Sequence, residues 1–106
     1  MNCTVFQRQS ARRDILEIID RISDDNPAAA AAVYEAYEYS LDLLKTTPDM
    51  GHLYRSADPR LAHIRVLSIH RYRNYLIFYR HLGNRVDVLQ IWHGARDITA
   101  LLSDLD

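Results

Sequence analysis

From Ala11 onward the apolar residues Ala11, Ile15, Ile18, Ile19 and Ile22 recur at helical spacing, with Arg12, Arg13, Glu17, Asp20 and Arg21 on the opposite side. This pattern predicts an amphipathic helix with Ser10 as its N-cap, stopping near Asp24-Asp25. Asn26-Pro27 restarts the chain: Asn caps, and Pro suits the first helical position because its missing N–H would lack an intrahelical partner there. The second helix runs to about Lys45, with Ala29, Val33, Ala36, Tyr37, Ser40, Leu41 and Leu44 as its buried stripe. So short a connection makes the two helices antiparallel neighbours.

Elsewhere the period changes from helical to alternating. Cys3 to Gln7 reads as a short strand, and the stretch from Thr46 to about Arg60, broken by Pro48, Gly51 and Pro59, reads as a loop. Strand character returns at His63 to Ile69 and continues in two β-branched and aromatic runs, Arg73 to Arg80 and Val86 to His93, which flank Gly83-Asn84. That pair suits a tight hairpin turn. A two-residue loop sets Leu82 opposite Arg85, Arg80 opposite Asp87, Phe78 opposite Leu89 and Leu76 opposite Ile91. Asn74 then faces His93. The other side carries Tyr75 opposite Trp92, Ile77 opposite Gln90, Tyr79 opposite Val88 and His81 opposite Val86. Both sides are largely apolar, so both need cover. The helices supply one; a partner protein is the expected source of the second. Gly94 then permits a turn out of the sheet, and Asp97 opens a short terminal helix. The expected architecture is α+β, a single domain over 1–106: an N-terminal strand and an antiparallel helix hairpin packed on a three- to four-stranded antiparallel sheet, with a short C-terminal helix.

Composition sharpens this picture without redrawing it. At 106 residues and 48% hydrophobic content the chain can bury one core without staples. Cys3 is the only cysteine and has no partner for an internal disulfide, and no N-terminal apolar run resembles a signal or a membrane span, so a cytoplasmic location is expected. The formal charge of −1 argues against a generally basic nucleic-acid binder, but the second half is cationic. Arg55, Arg60, Arg65, Arg71, Arg73, Arg80, Arg85 and Arg96 meet only Asp58 and Asp87 before Asp97. Planar guanidinium forks suit phosphate or carboxylate. The five histidines stand without paired cysteines or a His-Glu-x-x-His pair, so neither a metal nor a cofactor is expected. No glycine-rich phosphate loop or nucleophile elbow is present either.

The order strand, helix hairpin, meander, together with Asn26-Pro27, Pro48-Asp-Met-Gly51, Asn74-Tyr-Leu-Ile-Phe-Tyr-Arg80 and His93-Gly-Ala-Arg-Asp97, resembles the RelE/ParE family of bacterial type II toxins. The resemblance implies growth arrest, neutralised by a cognate antitoxin that wraps the toxin and covers its second apolar face. ParE-like members bind and poison DNA gyrase; RelE-like members are ribosome-dependent mRNA endoribonucleases. For a ribonuclease the candidates are His93 as base, with Arg65, Arg80 and Arg96 on the phosphate and Tyr75 or Tyr79 as proton donor. Arg96 matches a RelE-like catalytic arginine and Arg65 matches one loosely, but the essential RelE-type tyrosine falls at about Leu102. No lysine-rich helix grips ribosomal RNA. These departures favour the ParE-like branch, with no chemistry of its own, over the ribonuclease; an inactive relative that survives as a binding module is a third reading. Bland roles compete for the same residues: His93 as a hydrogen-bonding strand end, Arg80 paired across the strand to Asp87, Tyr75 and Trp92 as packing. Arg71 and Arg73, in an exposed turn, are the first choice for target or antitoxin contact, followed by Arg65, Arg80, Tyr75 and Trp92.

Overall fold

The computed structural model describes residues 2–94. They form, in order, β1 (Thr4–Gln7), α1 (Gln9–Asp25), α2 (Pro27–Thr46), β2 (His52–Leu53), a 3-10 turn (Pro59–Leu61), β3 (Ile64–Ile69), β4 (Tyr72–Leu82) and β5 (Arg85–His93). The strands make one sheet in the order β1-β5-β4-β3-β2, antiparallel except for β1, which runs parallel to β5. The helix hairpin on an antiparallel meander is as expected. The sheet gains one strand over the expected number, because two residues of the 46–60 segment, His52 and Leu53, pair with β3. The short terminal helix expected from Asp97 lies outside the described residues.

Asn26 caps α2 as its sequence predicts, its side chain accepting from Ala29 N–H at 3.1 Å, with Pro27 in the first turn. Ser10 does not cap α1. The helix starts two residues earlier, with Arg8 at the cap position and no side-chain cap bond, and the Ser10 hydroxyl donates to the Leu89 carbonyl at 2.7 Å. That bond belongs to the feature that alters the predicted register.

From the turn inward, Leu82↔Arg85, His81↔Val86, Arg80↔Asp87 and Tyr79↔Val88 pair as expected, with Gly83 at φ 62 in the first turn position. The ladder then slips: Phe78 pairs with Gln90, Ile77 with Ile91, Leu76 with Trp92 and Tyr75 with His93. Leu89 is the extra residue of a β-bulge. A slip of one residue exchanges faces, so Ile91 joins Ile77 beneath the helices while Trp92 joins Phe78 on the far side. Tyr75 and Trp92, expected to be adjacent, thus belong to opposite clusters. A bulge leaves ladder groups without strand partners, and α1 takes up two of them. Ser10 holds the Leu89 carbonyl and, one helical turn on, the Asp14 carboxylate accepts from Ile91 N–H at 3.1 Å.

The core has two parts, one on each face. Ala11, Ile15, Ile18, Tyr37, Leu41 and Leu44 of the helices pack on Ile69, Ile77, Tyr79, Val86, Val88 and Ile91. On the far face Leu61 packs with Ile64, Val66, Phe78, Leu89 and Trp92, joined at the margin by Tyr54 and Leu76. Both faces are buried, as their apolar character requires, and the second cover, expected from a partner protein, comes in part from the chain itself: Tyr54, in the stretch read as a loop, and Leu61, just after it, lie on that face. Besides the β2 pairing, further bonds hold that segment in place. Tyr54 N–H donates to Ile64 O at 2.8 Å, Arg80 Nη2 donates to the Arg60 carbonyl, and Asp58 both caps the 3-10 turn and pairs with Arg60 at 3.1 Å.

Candidate functional site

Among the described residues, the expected site residues do not converge. Arg65 lies between Ile64 and Val66, both in the far-face core, so by strand alternation it projects to the helix side; Arg80, two residues after Phe78, projects to the far side. Each is already engaged. Arg65 Nη1 donates to the carbonyls of Gly51 at 2.7 Å and Asp49 at 3.2 Å, and its Nε faces the Asp49 carboxylate at 3.3 Å. Arg80 holds the Arg60 carbonyl. It stands opposite Asp87 as expected, but Asp87 accepts from Arg85 at 2.6 Å. His93 is exposed at the other end of β5, opposite Tyr75 with ring centroids 4.8 Å apart. Along β4, Tyr75 is five residues from Arg80, about 16 Å at the usual strand rise. Arg96 lies outside the described residues.

Tyr79, named as a possible proton donor, is fully buried and its hydroxyl is occupied. It donates to Pro48 O at 2.8 Å and accepts from Gly51 N–H at 2.9 Å, and burial pushes its phenol above the ordinary tyrosine range. Gly51 is needed there, since a Cβ would come within 2.7 Å of the Tyr79 oxygen and 2.9 Å of Val66 O. Around this pair the segment after α2 is bound to the hairpin: the Asp49 carboxylate meets both Arg65 and, at 2.7 Å, His81 Nδ1, while His81 Nε2 lies 2.6 Å from the Gly83 carbonyl. Pro48-Asp-Met-Gly51 is therefore a structural latch. Sequence reading flagged the motif but not its partners, which come from β3 and β4.

Arg71 and Arg73, both expected in a turn over residues 70–74, are divided: only His70 and Arg71 make the β3–β4 connection, and Arg73 is the second residue of β4. Both are exposed, Arg71 in that connection at φ 71 and Arg73 at the start of β4, and neither makes an ion pair among the described residues. Beside them Tyr39 of α2, 49% exposed, contacts the His70 ring at a centroid distance of 4.9 Å. Trp92, by contrast, is buried against Phe78 at 4.9 Å and is closed to a large partner. The described residues hold no cluster of three or more metal-ligating side chains, and no helix among them is long and apolar enough to cross a membrane. Among the described residues the arrangement offers exposed guanidinium groups for binding and no assembled set of acid, base and phosphate clamp.

A family model described as the ParE toxin of the type II toxin–antitoxin system, parDE, matches residues 5–98. The chain belongs to this ParE toxin family. It is 37% identical over 95 residues to Toxin RelE1 of Caulobacter vibrioides, covering 89% of this chain and 96% of that one. The ParE-family fold aligns with a chain of the chromosomal ParDE system from P. aeruginosa at a TM-score of 0.70, with 18% identity over 87% of this chain and 96% of the other. A chain of the RelBE2 toxin–antitoxin complex of Mycobacterium tuberculosis aligns at 0.59, with 25% identity over 88% and 99%. The RelE/ParE resemblance of the sequence motifs thus holds at the level of family and fold, and the chain is a type II toxin of that superfamily. Neighbours named for both branches surround this ParE-family toxin.

Proposed function

We propose that this toxin arrests growth by binding and poisoning DNA gyrase and that a cognate antitoxin holds it in check. The observation that carries the reading is the dispersal of the would-be cleavage groups: Arg65 and Arg80 project from opposite faces with their guanidiniums on backbone carbonyls, and His93 stands at the far end of the sheet. A ribonuclease needs its base and phosphate clamp within reach of one scissile bond. A binding toxin needs an exposed, charged surface, and Arg71 with Arg73, at the β3–β4 turn and the start of β4, offer one. The match to the ParE family model supports the same reading, and the ParDE and RelBE2 neighbours come from toxin–antitoxin systems, which supports an antitoxin partner.

The ribosome-dependent mRNA endoribonuclease stands as the second reading, because the relative at 37% identity carries the name Toxin RelE1. Purified protein, added to gyrase with relaxed plasmid, is expected to inhibit supercoiling. Cleavage of messenger RNA in a translating extract, with gyrase unaffected, would transfer the assignment to the ribonuclease.

A further inference from the structure

Tyr79 and His81, two residues apart on β4, point to the same side of the strand and hold adjoining parts of the segment that follows α2. Tyr79 engages Pro48 and Gly51; His81 engages Asp49 between them. Both ring nitrogens of His81 face groups that only accept: Nδ1 lies 2.7 Å from an Asp49 carboxylate oxygen, and Nε2 lies 2.6 Å from the Gly83 carbonyl oxygen in the β4–β5 turn. A neutral imidazole has one N–H and one lone pair, so in this position it turns a lone pair on one of the two oxygens. The imidazolium donates to both. Arg65 of β3 sets its Nε 3.3 Å from the same carboxylate oxygen. Cys3, ahead of β1, brings its Sγ within 3.8 Å of Nε2 and donates its backbone N–H to the Lys45 carbonyl of α2 at 2.7 Å, while the Lys45 ammonium pairs with Asp42 at 2.9 Å. On β5, Val86 stands opposite His81, and the Arg85 guanidinium turns to Asp87 at 2.6 Å.

We propose that His81 is a proton-operated clasp between the segment after α2 and the β4–β5 turn, closed while the ring is charged and loosened when it is neutral. Histidine is the side chain that ordinarily changes charge between about pH 5 and 8. The charged ring makes two bonds and the neutral ring one, so the clasp is closed on the acidic side and loosens as pH rises through the titration of the ring. Loss of the proton also removes the ion pair with Asp49, leaving a weaker bond from a neutral donor. The bare Nε2 then repels the Gly83 carbonyl and accepts from the Cys3 thiol, a weak donor within reach. Arg65 keeps its charge throughout and holds Asp49, so the segment loosens without leaving the sheet. His52, the first residue of β2, follows Gly51 directly, so the loosening reaches the root of the segment that covers the far face. The proposal is independent of the target the toxin arrests.

The test follows the isotope-labelled full chain by NMR from about pH 5.5 to about pH 8.5, the range that spans an ordinary histidine titration. The ring nitrogen shifts of His81 report its charge. Exchange of the Met50 amide, which donates to Thr47 O at 3.2 Å, and of the Gly51 amide, each divided by its intrinsic rate at the same pH, reports the clasp. Both ring nitrogens are expected to carry protons at the acidic end, and protection of the two amides to fall about threefold as the ring turns neutral. His81→Gln keeps a side chain that can donate to Asp49 but cannot change charge, and is expected to flatten that response although the neighbouring His52 remains. If that variant does not fold, the coincidence of ring charge and amide protection in the unaltered chain decides the matter. A ring that is neutral at the acidic end, protection that ignores the ring's charge, or a pH response that persists in His81→Gln would overturn the proposal.

Discussion

Ile77 and Phe78 are neighbours in β4 and both are buried, yet different kinds of structure bury them. Ile77 lies under two regular helices whose apolar stripes run across the sheet. Phe78 lies under an irregular segment that contributes Tyr54 and Leu61 and is joined to the sheet by the two-residue β2 pairing, a backbone bond from Tyr54 and a bond from the Arg80 guanidinium, with the Asp58–Arg60 pair inside it. Asp58 is held below the usual carboxylate range by its hydrogen bonds from Arg60. Helical cover is redundant, since each turn repeats the contact. Cover by a tied segment depends on few bonds and opens at lower cost.

The largest effect should come from the helix side. Ile77→Ala removes a fully buried side chain under packed helices and is expected to cost about 3–4 kcal/mol in denaturant unfolding. Leu61→Ala should cost less, about 2 kcal/mol, because the segment can settle into the space. Equal costs would mean the two covers are equally rigid, and the contrast would fail. Tyr79→Phe tests the latch between them. It strips the acceptor from Gly51 N–H and is expected to cost about 1–3 kcal/mol, with faster exchange of the Gly51 amide as the specific sign. Ser10→Ala removes one of the two bonds that hold the bulge, for about 1 kcal/mol.

A pH profile separates the helix side further. Burial raises the Tyr37 phenol well above its ordinary value, while its hydroxyl donates to Gln7 Oε1 at 2.7 Å. The folded chain therefore holds that proton more tightly than the unfolded chain. The stability this provides is fully present below the unfolded tyrosine value of about 10 and is lost as pH rises through the folded value. Denaturant midpoints should fall on the alkaline side of about pH 10, and Tyr37→Phe should flatten part of that fall, leaving the contribution of Tyr79. The smallest effect concerns the exposed connection. Arg71→Glu with Arg73→Glu should leave stability unchanged and weaken antitoxin binding several-fold, less at high salt. An unchanged affinity would remove these residues from the interface.

The same division explains what could be read from the chain. The helix hairpin was legible because its signals are local: the isoleucine spacing, Asn26-Pro27, and a caps-and-stripe pattern within each element. The turn at Gly83-Asn84 set the register correctly as far as Tyr79 and Val88. Beyond it, Leu89 carries no mark of a bulge. What makes the extra residue tolerable is Ser10 and Asp14, distant in sequence, and a serine before a helix reads locally as a cap. Tyr54 and Leu61 stand among prolines and polar residues, where no period reveals a buried role. Arg65 and Arg80 read as free phosphate forks because the carbonyls they hold belong to other segments. The exposure of Arg71 and Arg73 was legible because polar residues beside a turn are a local signal, although only Arg71 lies in the turn and Arg73 already belongs to β4.

The direct measurement for the central claim is plasmid topology in cells in the minutes after the toxin is induced without its antitoxin. The account expects negative supercoiling to be lost while messenger RNA stays intact, and co-production of the antitoxin to restore it. Fragmented messenger RNA with unaltered plasmid topology would contradict the account.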